Sequence, residues 1–293
     1  MSKVSVIGAG TMGNGIAHVF AQYGHDVTLV DTASAALERA RATIERNLDR
    51  QVAKERIGAR DKADALARLR TSKVLAEAVS GADLVVEAAT ENPAVKLEIF
   101  RELDAAAPPE AILATNTSSI SITQIAAATR RPAQVIGMHF MNPVPVMRLV
   151  EVIRGYATSD ETTATVMSLS EGLGKTPVEV NDYPGFVSNR VLMPMINEAV
   201  YSLWQGVAQV EAIDTVMMLG MAHPMGPLQL ADFIGLDVCL SILRVLQDGM
   251  GIDRYAPCPL LVNMVAAGRL GRKTGEGFYR YTAGSKEKEA VVF

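Results

Sequence analysis

The sequence predicts an α/β protein with a doubly wound parallel sheet, a helical-hairpin insertion near its start and an all-helical C-terminal domain. Three observations predict this class. Short β-branched runs alternate with helical patterns over about the first 180 residues, as in parallel sheets covered by helices. Residues 33–70 contain two consecutive helical patterns. Beyond residue 183 the patterns are helical, so we predict domains at residues 1–183 and 184–293.

Composition narrows the possible functions. The chain of 293 residues is 49% hydrophobic and 20% charged, which is typical of a globular protein. A net charge of −4 and an aromatic content of 5% argue against nucleic acid as a partner. The sequence lacks an uncharged apolar window of about 18 residues, so we expect no membrane span.

Cysteine and histidine usage gives two further expectations. The two cysteines, Cys239 and Cys258, do not make a disulfide framework, and the N-terminus does not resemble a signal peptide. We therefore expect a cytoplasmic location. The four histidines are scattered along the chain, so we expect no metal site.

The first strand, KVSVIG at residues 3–8, leads into the glycine-rich sequence GAGTMG. Gly8, Gly10 and Gly13 fit the pattern G-x-G-x-x-G. Gly8 allows the tight turn, Gly10 lets the backbone approach a pyrophosphate, and Gly13 lets helix and strand pack closely. A helix over residues 11–24 follows, and its N-terminus offers unpaired N–H groups to the phosphates.

A second strand, residues 25–31, closes on Asp31. An acid about 20 residues beyond the glycines is expected to accept hydrogen bonds from ribose hydroxyls. The same carboxylate would repel a 2′-phosphate. This Rossmann-type pattern therefore favours NAD over NADP.

The insertion begins with a long, highly charged amphipathic helix that Gly58 ends, and a shorter helix over residues 61–70 follows. Its basic residues Arg50, Lys54 and Arg56 could meet an anionic ligand. They could equally form an ordinary solvated face, and the residues alone favour that interpretation.

The alternating pattern then resumes. Strands are predicted at 71–74, 83–88, 134–140, 148–155 and 176–181, and residues 111–119 are predicted to form a strand that runs into a polar loop. Helices are predicted at 92–107, 121–129 and 160–174. Helical patterns in the second domain cover 187–206, 210–220 and 226–251. Their extensive apolar faces predict a homodimer interface, and the tail from residue 284 is expected to be loosely ordered.

Polar side chains that follow the strands are the candidates for chemistry, because ligands bind at the carboxyl ends of parallel strands. His139 ends one strand, and Glu151 lies in the next segment after a short loop with two prolines. If the chain folds back there, the carboxylate can orient the imidazole as a base. Alternatively, His139 is a satisfied core histidine and Glu151 lies on the open face of the sheet.

Two other polar residues have competing interpretations. Ser118 could donate a hydrogen bond to a substrate oxygen, or the serines here could cap the helix at 121–129. Asn189, just after the domain boundary, could reach a substrate, or it could be an ordinary polar residue of a helix.

Taken together, several motifs resemble those of the L-3-hydroxyacyl-CoA dehydrogenases, and among them the short bacterial enzymes specific for 3-hydroxybutyryl-CoA. The motifs are VIGAGTMGNGIA, DLVVEAATEN, ATNTSSISIT, GMHFMNPVPVMRLVEVI, PGFVSNRV, HPMGPLQLADFIGLD and GRKTGEGFY. They run from residue 6 to residue 279. The combination of HFMNPVP with PGFVSNR is far more specific than the glycine motif alone.

The resemblance implies a role for each matching residue. His139 would be the general base for the 3-hydroxyl, Glu151 its orienting carboxylate, and Ser118 and Asn189 partners of the reacting oxygens. The substrate-binding residues implied are Ser118, Asn142, Asn189 and Lys54. The cofactor-binding residues implied are Gly8, Gly10, Thr11, Met12, Gly13, Asp31, Glu91, Lys96 and Asn116.

The expected reaction is hydride transfer between NAD and carbon 3 of a short-chain (S)-3-hydroxyacyl-CoA. The resemblance also implies that the insertion contacts coenzyme A and that the helical domain forms a dimer. Two alternatives remain from the sequence: a same-fold dehydrogenase of a free hydroxy acid such as a sugar acid, and a non-catalytic NAD-binding protein. Acyl chain length and the physiological direction, as in β-oxidation or butyrate synthesis, stay open.

Overall fold

The computed structural model describes residues 2–282, 284 and 287–293. The chain forms two compact units, the first ending at Tyr183 and the second beginning at Pro184. The first unit is built on an eight-stranded sheet. Its strands are β1 (Lys3–Ile7), β2 (Asp26–Val30), β3 (Leu69–Ser72), β4 (Leu84–Glu87), β5 (Ile112–Thr115), β6 (Val135–Phe140), β7 (Leu149–Arg154) and β8 (Thr176–Asn181).

The strand order is β3-β2-β1-β4-β5-β6-β7-β8. Neighbouring strands are parallel except β6 and β7, which pair antiparallel. The order reverses between β1 and β4, and such a switch point leaves a crevice beyond the strand ends. The predicted doubly wound sheet is therefore confirmed, and the antiparallel pair of β6 with β7 is an addition to it.

Helix α1 (Thr11–Gln22) joins β1 to β2 and buries its apolar side against the sheet. Helices α2 (Ser34–Ala53) and α3 (Ala59–Arg68) form the predicted hairpin. The hairpin connects β2 to its parallel neighbour β3. The residues of α2 that face the core are Leu37, Ala40, Ile44 and Leu48, spaced as an amphipathic helix requires.

The remaining helices of the first unit are α4 (Leu75–Val79), α5 (Pro93–Ala106), α6 (Ile122–Ala126) and α7 (Asp160–Gly172). The sequence did not predict α4, whose single short turn is too brief to show a helical period. Asn92 caps α5 by accepting a hydrogen bond from the Val95 amide at 3.2 Å, and Pro93 occupies the first helical position.

The second unit has a helical core. Its helices are α8 (Ser188–Trp204), α9 (Val210–Gly220), α10 (Pro227–Ile234), α11 (Leu236–Met250) and α12 (Pro259–Ala266). It also contains an antiparallel pair, β9 (Tyr279–Tyr281) with β10 (Lys288–Ala290). The expectation of a loosely ordered tail is thus wrong at β10, while residues 285 and 286 lie outside the described residues.

Across the described residues, every helix is too short or too polar to pass through a lipid bilayer.

Candidate active site

The antiparallel pairing of β6 with β7 places His139 directly opposite Glu151. The imidazole Nδ1 lies 2.8 Å from Glu151 Oε2. Both side chains are buried, with 6% of His139 and 2% of Glu151 exposed. A carboxylate beside Nδ1 favours the tautomer that carries its proton there, which leaves the lone pair of Nε2 available.

Ser118 lies on the other side of the imidazole. Its Oγ is 3.0 Å from His139 Nε2, so the serine hydroxyl can donate to that nitrogen. Ser118 follows β5, and β5 is the parallel neighbour of β6. The sheet therefore brings Ser118, His139 and Glu151 into one row.

The loop after β5 is held by contacts with the two neighbouring strands and their connections. Asn116 Oδ1 accepts a hydrogen bond from the Phe140 amide at 2.8 Å. Glu91, which follows β4, accepts from Thr117 Oγ1 at 2.8 Å and from the Ser118 amide at 2.5 Å. These contacts fix the segment that carries the Ser118 hydroxyl.

A buried ion pair lies behind this loop. The Lys96 ammonium donates to Glu87 and, at 3.4 Å, to Thr115 Oγ1. Thr115 Oγ1 in turn donates to Glu87 at 2.9 Å. Lys96 is 1% exposed and its nitrogen also lies 3.9 Å from Glu91. The implied role of Lys96 in the cofactor groove stays a prediction.

The glycine turn fits the pyrophosphate of a dinucleotide. Gly8 has φ +99°, a conformation that favours glycine, and a Cβ on Gly13 would lie 1.7 Å from the Gly8 carbonyl oxygen. A Cβ on Gly10, in contrast, would meet no described atom within 4 Å. Gly10 is the N-cap of α1, and Thr11 and Met12 begin the helix. Phosphates bind readily at such a terminus.

Asp31 stands at the end of β2 beside this turn. Its carboxylate accepts hydrogen bonds from the Ala9 and Ala33 amides, each at 2.9 Å. The carboxylate therefore ties the glycine turn to the start of α2. The contact of Asp31 with a ribose stays a prediction.

The other implied substrate residues occupy separate elements. Asn142 is exposed in the loop between β6 and β7, and Lys54 is exposed just after α2. Asn189 lies in the first turn of α8, in the second unit, and is buried. The roles of all three remain predictions.

A second buried histidine provides a contrast. His18 in α1 contacts Gln22 Oε1 at 3.0 Å and Gln51 Nε2 at 3.2 Å. Burial lowers the pKa of His18 to about 4, so its imidazole is neutral near physiological pH. This histidine joins α1 to α2 and, among the described residues, has no carboxylate partner of the kind that His139 has in Glu151.

Sequence reasoning included Thr117 among the polar residues after β5 but gave it no role, and it named Glu91 for the cofactor alone. The sequence does indicate that Glu91 and Thr117 lie close together, because they follow the neighbouring strands β4 and β5. Polar residues after adjacent parallel strands lie at the same sheet edge. That rule predicts proximity, but not which donor meets which acceptor.

Comparison with known proteins identifies the family. Residues 3–183 match the family model described as 3-hydroxyacyl-CoA dehydrogenase, NAD binding domain, and residues 185–281 match the C-terminal domain of the same family. The chain belongs to the 3-hydroxyacyl-CoA dehydrogenase family. This membership confirms the resemblance, the enzyme class and NAD as the cofactor.

Relatives of this 3-hydroxyacyl-CoA dehydrogenase agree over nearly its whole length. A probable 3-hydroxybutyryl-CoA dehydrogenase of Bacillus subtilis is 56% identical and covers 96% of this chain and 98% of its own. The 3-hydroxybutyryl-CoA dehydrogenase of Bradyrhizobium diazoefficiens is 55% identical, covering 96% of each chain. The crystal structure of (S)-3-hydroxybutyryl-CoA dehydrogenase from Ralstonia eutropha has TM-score 0.94 and 50% identity, covering 96% of this chain and 99% of its own.

Proposed function

We propose that this enzyme interconverts a short-chain (S)-3-hydroxyacyl-CoA, 3-hydroxybutyryl-CoA, and the corresponding 3-ketoacyl-CoA, acetoacetyl-CoA, with NAD as the cofactor. The names of the relatives support this substrate class. The single observation that carries the proposal is the 2.8 Å contact between His139 and Glu151 at the strand ends. It supplies the base that oxidation of a hydroxyl group requires.

In the oxidative direction, the hydroxyl proton passes to Nε2 of His139 while the hydrogen on C3 leaves with its electron pair and the C3–O bond becomes a carbonyl. The Nδ1 proton stays on the nitrogen and donates to Glu151. The carboxylate thereby holds the ring in orientation and stabilises the imidazolium that forms. In the reductive direction, the same imidazolium returns the proton to the developing alkoxide.

Burial strengthens this arrangement. Neither His139 nor Glu151 is more than 6% exposed, so water screens their interaction little. Ser118 Oγ, 3.0 Å from Nε2, marks where an oxygen can lie next to the base. We propose that the substrate oxygen is bound near this point by Ser118.

The glycine turn and Asp31 would hold NAD, with Glu91 and Asn116 beside the groove. NAD, when bound, supplies the acceptor for the C3 hydrogen and its electron pair. The protein's own contribution is to hold the turn, through the Asp31 bond to the Ala9 amide, and to keep base and substrate in fixed proximity.

The direct test replaces the base. We expect His139→Ala to lower kcat by about 10²–10⁴-fold, the usual contribution of a positioned proton acceptor. NAD binding, measured by fluorescence titration with NADH, should persist. His25→Gln, which removes an imidazole elsewhere, should leave kcat unchanged. Full turnover by the His139 variant would reject the mechanism.

A substrate comparison separates the proposed function from the two alternatives. We expect turnover with acetoacetyl-CoA and NADH, and little with free 3-keto acids or sugar acids. Turnover of the free acids at equal efficiency would favour the hydroxy-acid dehydrogenase. Cofactor binding without turnover of any of these compounds would favour the non-catalytic protein. Longer 3-ketoacyl-CoAs, and NADPH in place of NADH, define the chain-length and cofactor limits.

Positive charges near the hairpin support coenzyme A as the carrier of the acyl group. A cavity of about 670 Å³ in the first unit is lined in part by Gln51, Arg56, Arg68 and Arg148. Lys175 and the acids Asp61 and Asp64 line the same cavity, so its lining has four basic and two acidic side chains. Arginine guanidinium groups bind phosphate well. Lys54 lies close to Arg56 in the chain, just after α2.

A truncated substrate tests this contact. We expect Lys54→Ala and Arg56→Gln to raise KM for acetoacetyl-CoA while leaving KM for acetoacetyl-pantetheine, which lacks the nucleotide, unchanged. Arg101→Gln, an exposed arginine on α5, is the matched control. Equal changes with both substrates would contradict a phosphate contact.

We also propose a homodimer formed through the second unit. Its helices expose large apolar side chains, including Val191 at 67%, Val216 at 59% and Leu219 at 83%. Exposed apolar groups of this number are typical of association surfaces. Sedimentation of the purified enzyme should give twice the chain mass, and Leu219→Glu should shift it toward the monomer. A wild-type monomer would contradict the proposal.

The cytoplasm is the proposed location. Cys239 and Cys258 are both free thiols in the structure, as reducing compartments favour. Fractionation of the source cells, followed by immunodetection, would test it.

A further inference from the structure

The position of Ser118 depends on one carboxylate, that of Glu91. Oε1 of Glu91 accepts the Ser118 amide at 2.5 Å, and Oε2 accepts Thr117 Oγ1 at 2.8 Å. Both oxygens of one side chain are therefore used on two consecutive residues. The amide belongs to the same residue whose hydroxyl lies 3.0 Å from His139 Nε2.

Thr117 extends this contact into the following turn. Its Oγ1, which donates to Glu91, also accepts from the Ser119 and Ile120 amides at 3.3 and 3.0 Å. The hydroxyl group therefore links the carboxylate to the chain on the far side of Ser118. On the near side, Asn116 is fixed to β6 through the Phe140 amide. Ser118 is thus held between two anchors.

The carboxylate itself is held by an electrostatic contact. Glu91 has a side chain that is 47% exposed, so in isolation it would rotate freely in water. The Lys96 ammonium lies 3.9 Å from it and is itself fixed by the buried Glu87. This arrangement orients Glu91 toward the loop after β5.

We propose that Glu91 is a positioning residue for the reaction, acting through Ser118 to keep its hydroxyl at the imidazole. The inference rests on the proposed function, because it assumes that His139 and Ser118 serve the reacting oxygen. Proximity effects are steep: a misplacement of about 1 Å can cost about 10²-fold in rate. Loss of the Glu91 contacts should therefore lower kcat through the geometry of Ser118.

A double-mutant cycle tests this dependence. We expect Glu91→Ala to lower kcat about 10–100-fold in the otherwise wild-type enzyme, within the range for lost positioning. In a Ser118→Ala background, the same substitution should change kcat by less than about 2-fold, because residues that act through one group are not additive. All kcat values are measured at saturating NADH, because Glu91 is also an implied cofactor residue and a weaker Kd for NADH then does not enter kcat.

Matched variants keep the test independent of folding. Thr117→Val removes one of the two Glu91 contacts and should lower kcat less than Glu91→Ala does, whereas Thr117→Ser keeps the hydroxyl and should retain wild-type kcat. Glu98→Ala, an exposed acid on α5, should also leave kcat unchanged. If Glu91→Ala does not fold, the Thr117 pair in the Ser118→Ala background gives the same comparison.

The outcomes separate this inference from the proposed function. An equal loss of kcat from Glu91→Ala in both backgrounds would overturn the positioning role. Full turnover of Ser118→Ala alone would overturn the proposed role of Ser118 and this inference with it. Loss confined to the Ser118→Ala background would overturn the inference alone.

Discussion

The buried carboxylates of the two units face different kinds of partner. In the first unit, Glu151 faces the imidazole of His139, a side chain that can act as a base or an acid. In the second unit, Asp214 and Asp232 are 0% and 1% exposed, and their hydrogen-bond partners among the described residues are backbone amides and tyrosine hydroxyls. Burial is therefore similar, whereas the chemistry of the opposing group is not.

Asp214 joins two elements of the second unit. From α9, its carboxylate accepts the Leu228 and Gln229 amides at the start of α10, at 2.8 and 3.0 Å. It also accepts the hydroxyl of Tyr279 on β9 at 2.8 Å. A carboxylate at a helix N-terminus is favoured by the helix dipole as well.

Asp232 joins α10 to the same hairpin. It accepts the Phe278 and Tyr279 amides, each at 2.9 Å, and the Tyr281 hydroxyl at 3.0 Å. Burial raises the pKa of Asp232 to about 6, despite the hydrogen bonds that lower it. Burial also raises the pKa of the hydroxyls of Tyr279 and Tyr281.

The difference separates structural carboxylates from the candidate catalytic one. Donors that never release their proton near neutral pH can only hold a carboxylate in place, so Asp214 and Asp232 stabilise the fold. A carboxylate opposite an imidazole instead changes the energy of the protonated ring. The comparison predicts that substitution of Glu151 changes turnover, and that substitution of Asp214 or Asp232 changes stability.

The largest effect is expected at Glu151. Glu151→Gln keeps the size of the side chain but removes the charge that stabilises the imidazolium, and it permits the wrong ring tautomer. We expect kcat to fall by about 10²–10⁴-fold, while NADH still binds. Steady-state kinetics with acetoacetyl-CoA measure the first quantity and fluorescence titration the second. Wild-type kcat in this variant would contradict the catalytic role proposed for Glu151.

The sequence predicted much of this site because the pattern of strands was strong. Alternation of apolar runs predicted both strands, and the short loop with prolines left open whether the chain folds back so that β6 and β7 pair. The sequence did not predict the register between the two strands. The register matters here, because a shift of one residue would move Glu151 to the opposite face of the sheet. The structure supplies that register by pairing His139 with Glu151.

The second unit was less accessible to sequence reasoning. Strand β10 reads KEA, a short charged segment with no β-branched residue, so local preference argues against a strand. Distant contacts form it instead: β9 pairs with it, and the Val291 amide donates to the Phe278 carbonyl at 2.9 Å. The roles of Asp214 and Asp232 depend on the same hairpin, so the local sequence around each aspartate does not predict its role.

The next largest effect is expected for Asp214→Asn. The amide keeps one acceptor oxygen in place of two, and its NH2 group faces donors that then lack an acceptor. Because such buried groups lose charge-assisted bonds, we expect the free energy of unfolding to fall by about 3–4 kcal/mol. Urea unfolding at pH 7 measures this loss.

Tyr279→Phe is a milder substitution at the same hydrogen-bond cluster as Asp214→Asn. It removes one hydroxyl donor and leaves both amides of α10 bonded to Asp214. We expect a loss of about 1 kcal/mol, typical of one hydrogen bond. Equal losses in the two variants would mean that the helix cap contributes nothing, contrary to the structural role assigned to Asp214.

The last effect concerns pH and Asp232. Its pKa is about 6 in the folded enzyme, against an ordinary value of 3.8 for an aspartate side chain, so the folded state binds the proton more tightly than the unfolded chain does. The residue therefore stabilises the fold most below about pH 4, and this contribution is lost as pH rises through about 6. The expected size is about 2–3 kcal/mol, from the linkage between pKa and stability.

Asp232→Asn provides the measurement, because an amide does not titrate. We expect the difference in unfolding free energy between the wild type and this variant to decrease from pH 4 to pH 7, whereas the difference for Asp248→Asn, an exposed acid on α11, should not follow this course. Asp214 acts in the same direction as burial, since its nearby charge also raises the pKa of Asp232. A pH-independent difference for Asp232→Asn would show that this carboxylate stays ionised throughout, held by the amides of Phe278 and Tyr279 against the cost of burial.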